Sequence, residues 1–145
     1  MRDVNAPSQP ATRTSPTRTG PGYRLARNAI AIVAWGFVAA VLVQVYLAGI
    51  GVFRQDWELH RNFGHLLEIV SIVLLILLIV VRGSRLQIGL AALLIVLVVG
   101  QNIFIGLRTS NPELAALHPV NAVVILVASI VLARTTWRLG GFTEL

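Results

Sequence analysis

Four long apolar runs, separated only by short polar links, decide what this chain can become. They span residues 24–53, 57–82, 86–107 and 112–136, and each reaches the ~20 residues that carry a helix across a hydrocarbon layer ~30 Å thick. Such a layer offers no water to backbone amides, so each run is expected to close its own hydrogen bonds as a helix. The links RGSR (82–85) and SNPE (110–113) are too short to do more than turn the chain back beside itself. That implies an all-α, up-down-up-down bundle of four transmembrane helices. SNPE also carries a helix start, with Asn as cap, Pro at the first helical position and an acidic first turn.

Composition agrees. Apolar residues make up 56% of the 145 and charged residues 12%, with a mean hydropathy of +0.78, far outside the soluble range. Cysteine is absent, which excludes disulfides, thiolate metal sites and cysteine nucleophiles. The net charge of +6 invites a nucleic-acid partner, but the arginines flank apolar segments, so the bilayer is the expected partner and nucleic acid is not. Residues 1–22 hold four of the six prolines and almost no large apolar side chain, the composition of a disordered tail. The transmembrane domain is expected over 23–139, with a short tail over 140–145. The first run is too long for a cleaved signal peptide.

Arginine placement sets an expected orientation. Arg2, Arg13, Arg18, Arg24, Arg27, Arg82, Arg85, Arg134 and Arg138 fall on one side, and only Arg54, Arg61 and Arg108 on the other. Positive flanks stay cytoplasmic, so both termini are expected inside a plasma membrane. Polar residues within the spans then collect in the outer half: Gln44, His65, Glu68, Gln101, Asn102, His118 and Asn121. A weak internal repeat runs through the same residues, matching Gln44 with Gln101, His65 with His118 and Glu68 with Asn121.

Ionisable and polar groups at membrane depth usually face the bundle interior and mark a site. Arg61, Gly64, His65 and Glu68 share one stripe of the second helix, and His118, Asn121 and Ala122 one stripe of the fourth. His60 stands about 140° around the axis from His65, beside Trp57 at the expected interface, and is the competing choice on that helix. The second and fourth helices are expected to sit diagonally, roughly 11–14 Å apart. Two imidazoles across that gap, His65 and His118, suit the two axial positions of a b-type haem iron, with Glu68, Gln44, Gln101 and Asn121 around them and Gly64 and Gly100 leaving room for the macrocycle. Pro119 frees the Ala115 carbonyl and can kink the fourth helix. A zinc site of His65, Glu68 and His118 ranks below haem. The residues leave a blander reading open: interfacial histidines and interhelical hydrogen bonds that only lock packing, as in a non-enzymatic accessory or scaffold subunit of a larger membrane complex or homo-oligomer. No phosphate loop, nucleophile elbow or HExxH occurs, so no catalytic residue is assigned.

The stretches QVYLAGIGVF (44–53), ELHRNFGHLLE (58–68) and LHPVNA (117–122) resemble one half of haem A synthase, whose paired four-helix bundles carry haem-ligating histidines near helix ends. That resemblance implies His65 and His118 as ligands, with His60 in competition. The chain resembles more closely the small uncharacterised four-helix membrane proteins of high-GC actinobacteria, which imply no activity. The expected orientation is testable with single cysteines in spheroplasts. A cysteine at Asp56 is expected to react with an impermeant maleimide and one at Gly83 only after lysis.

Overall fold

A computed structural model describes residues 20–138. Among them every regular element is a helix: α1 (Pro21–Arg54), α2 (Glu58–Val80), α3 (Arg85–Gly106), α4 (Pro112–Ala115) and α5 (Leu117–Arg138). Most of the expected N-terminal tail, with Arg2, Arg13 and Arg18, lies outside the described residues, as do residues 140–145. Pro21 and Gly22, read from sequence as tail, belong to α1, because proline's fixed φ and missing amide suit a first helical position.

Among the described residues four helical spans are long and apolar enough to cross a membrane, with α4 and α5 together making the fourth. The chain is a multi-pass membrane protein. Large Leu, Ile and Val side chains are exposed along all four spans, among them Ile32, Ile76, Val96 and Val127, as lipid-facing positions require. The fourth span breaks at Ala116. Pro119 cannot donate to the Ala115 carbonyl and its ring crowds that oxygen, so the helix restarts at Leu117. Asn111 caps α4 by accepting from the Leu114 amide at 3.2 Å.

The helices pack as a square. Neighbours are α1 with α2, α2 with α3, α3 with α5, and α5 with α1. This leaves α1 opposite α3 and α2 opposite α5. Between α2 and α3 the turn places Arg82 at φ 53°, while Ser84 and Gln87 form a reciprocal capping box. Burial repeats with a twofold pattern. Ile30, Ala34, Phe37 and Val41 of α1 match Gln87, Ala91, Leu94 and Val98 of α3. Leu67, Ser71, Leu74 and Leu78 of α2 match Ile125, Ser129, Leu132 and Thr136 of α5. Each match keeps its own constant shift, 57 residues from α1 to α3 and 58 from α2 to α5. In that register His60, not His65, corresponds to His118, and Glu68 corresponds to Leu126 rather than Asn121, which corrects the alignment read from the sequence.

The α1–α2 link is closed by Trp57, which folds back on Gly51. A Cβ on Gly51 would stand 2.7 Å from the Trp57 ring. Alanine normally gains about 1 kcal/mol over glycine inside a helix, but overpacking costs about 1–3 kcal/mol. Gly51→Ala is therefore expected to lower stability in detergent unfolding, and Gly36→Ala, which meets nothing within 4 Å, to raise or preserve it.

Candidate functional site

The site lies at the end of the bundle carrying the α1–α2 and α3–α4 links. His60 is in the first turn of α2, and its Nδ1 lies 3.2 Å from the backbone oxygen of Gln44 on α1. A carbonyl only accepts, so Nδ1 carries the hydrogen and Nε2 the lone pair. In return the Gln44 side-chain amide donates to the His60 carbonyl at 2.9 Å, and the same nitrogen stands 3.5 Å from His60 Nε2. Gly64 gives this clamp room, since a Cβ there would stand 3.2 Å from the Gln44 amide, closer than ordinary contact. The glycine expected to admit a macrocycle instead admits a glutamine.

The other half repeats the bond. His118, at the start of α5, sets Nδ1 3.2 Å from the backbone oxygen of Gln101 on α3. Its ring centre lies 6.3 Å from that of His60, with the planes at 62°. Thus the two imidazoles that meet across the diagonal are His60 and His118, each held by a glutamine carbonyl of the preceding helix. Trp57 closes the outer side, its ring centre 5.8 Å from His60 in an edge contact. Among the described residues, the Oε1 atoms of Gln44 and Gln101 are both buried without a hydrogen-bond partner, although buried acceptors normally find one.

Deeper in the bundle, Asn121 donates to the Leu97 carbonyl at 2.8 Å and ties α5 to α3. Gln87, buried in the first turn of α3, donates to the Thr135 carbonyl of α5 at 3.1 Å. Sequence reasoning passed over Gln87 because it sits beside the polar turn and reads as solvated. The capping signature SRLQ was the available signal: a Gln at the third helical position with its amide left over for a neighbour.

His65 is elsewhere. Its side chain is 66% exposed, and Nδ1 lies 3.3 Å from Glu68 Oε2. Glu68 also accepts a hydrogen bond from Asn102 of α3. This trio occupies the outward groove between α2 and α3, so the expected sandwich of His65 and His118 does not form, nor does a zinc set of His65, Glu68 and His118. The physical reason is the helical angle: the α2 stripe turned inward runs through His60, Leu67, Ser71 and Leu74, and His65 falls off it. Among the described residues no three His, Asp or Glu side chains converge to hold a metal ion.

A family described as a family of unknown function, DUF6220, matches residues 44–108. The match takes in Gln44, His60, His65, Glu68 and Gln101 and stops short of His118 and Asn121. No curated protein and no solved structure matches the chain, and the likeness to haem A synthase rests on the short motifs alone.

The reciprocal clamp separates the two glutamines. Gln44→Leu removes the side-chain bond to the His60 carbonyl and is expected to cost about 1 kcal/mol in the membrane, the scale of an interhelical hydrogen bond there. Gln101→Leu is expected to cost less, because His118 binds the backbone of residue 101. Unfolding of both variants in mixed micelles measures the difference.

Proposed function

We propose that the protein holds a b-type haem between His60 and His118 and serves as an electron carrier of the plasma membrane. What supports this reading is the imidazole pair. His60 and His118 come from different spans and their ring centres stand 6.3 Å apart, so these are the two residues that would hold the haem iron. Both rings already spend Nδ1–H on a backbone carbonyl, the arrangement that fixes tautomer and orientation for a ligating Nε2, and on His60 the Gln44 amide, 3.5 Å from Nε2, would give way to the iron. The unpartnered Gln44 and Gln101 oxygens beside them leave the polar network open. The haem would supply one-electron redox chemistry. The chain's own part is to fix both imidazoles and to cover them with Trp57.

A second reading has its own observation. The Gln44 amide occupies the space beside Gly64, and polar side chains bridge α1 to α2, α2 to α3 and α3 to α5. A closed lock of this kind suits a non-enzymatic accessory or scaffold subunit of a larger membrane complex.

Absorption spectra separate the two. Protein purified from haem-supplied cells is expected to show a Soret band that shifts on dithionite reduction. His60→Ala and His118→Ala should each abolish it while His65→Ala keeps it. Colourless wild-type protein would favour the lock, and loss of the band in His65→Ala alone would contradict the proposed pair.

A further inference from the structure

The polar cluster on the outward groove of α2 and α3 has no role in the site above. His65 and Glu68 lie seven and ten residues beyond the start of α2 at Glu58, about 10 and 15 Å along it at 1.5 Å per residue. For a helix of this length spanning a ~30 Å hydrocarbon layer, that places them within the layer. His65 is 66% exposed and Glu68 27%, with Asn102 exposed beside them, and the groove around them is apolar: Leu66, Ile69 and Ile72 on α2, Val99 and Ile103 on α3. Ionisable side chains at such depth pair with protein groups rather than face lipid tails; His65 and Glu68 bond to each other and Glu68 to Asn102, yet the His65 ring stays largely uncovered by its own chain.

The twofold repeat shows that the fold does not demand this polarity. Applying the same shifts, the groove of α5 and α1 carries Val123 where His65 stands, Leu126 for Glu68 and Val45 for Asn102. One of two equivalent lipid-facing grooves is apolar and the other carries a donor and acceptor set.

We infer that the α2–α3 groove is a self-association surface, and that its occupant is the same groove of a second copy of this chain. The chemistry points to a copy rather than an unrelated subunit. One stripe holds both an imidazole and a carboxyl group, one helical turn apart. In a twofold contact each surface meets itself, so His65 of one copy can donate to Glu68 of the other and the reverse. A partner offering only basic or only acidic groups would satisfy one of the two. The inference shares no residue with the haem proposal and stands or falls separately.

The absence of cysteine makes the test clean. Ile69→Cys places a thiol on the proposed surface, and Val127→Cys places one at the repeat-related position of the other groove, both exposed. Oxidation in native membranes is expected to give a covalent dimer from Ile69→Cys and little from Val127→Cys. Adding His65→Val and Glu68→Leu, the residues already present in the other half, should cut the Ile69→Cys dimer by about tenfold, the scale of lost interhelical hydrogen bonds in lipid, with helicity unchanged. Equal cross-linking from the two cysteine positions overturns the proposal without reference to the double variant. So does full cross-linking that survives the double substitution in folded protein, or cross-linking only to a different polypeptide.

Discussion

A polar group inside a bilayer must find its partner within protein, and that constraint organises this molecule. The backbone meets it by forming helices, and the side chains meet it across helix interfaces. Gln44 and His60 clamp α1 to α2, Gln101 receives His118 to join α3 to α5, Asn121 repeats the α3–α5 tie deeper in the bundle, and Gln87 repeats it at the opposite end. Apolar packing alone specifies register poorly among lipid tails, since leucine against leucine is little better than leucine against lipid. These few bonds choose the register.

Two helical hairpins solve the same problem in the same way. The first is α1 with α2, the second α3 with α5, and in each a histidine opening the return helix donates Nδ1–H to a glutamine carbonyl on the outgoing one. Packed as a square, the hairpins bring their equivalent imidazoles face to edge across the diagonal. The halves differ at their outward grooves, where one is polar and the other apolar.

Much of the fold was legible in the residues. Run length and the absence of water fix four spans, and Asn111 with Pro112 marks the start of the fourth. The diagonal placement of the second and fourth spans follows from short links alone. The choice of histidine was not legible. On an apolar helix, His65 and Glu68 at helical spacing make the more obvious stripe, and nothing in periodicity tells an inward stripe from an outward one when both are bordered by Leu, Ile and Val. The register signal was present in the pair Ser71 and Ser129, which stand at equal distances after His60 and His118. Small hydroxyl residues, whose Oγ atoms bond back to Glu68 and Leu126, are tolerated at the tight centre of the bundle and so mark the inward face.

The claim that everything else rests on is that His60 and His118 face one another in the Nδ1–H form, with His65 turned away. With only three histidines in the chain, solid-state NMR of 15N- and 13C-histidine-labelled protein in lipid bilayers tests it directly. The account predicts two imidazoles protonated at Nδ1 and a ring-to-ring contact between residues 60 and 118. A contact between residues 65 and 118, or Nε2–H tautomers at residues 60 and 118, would contradict it.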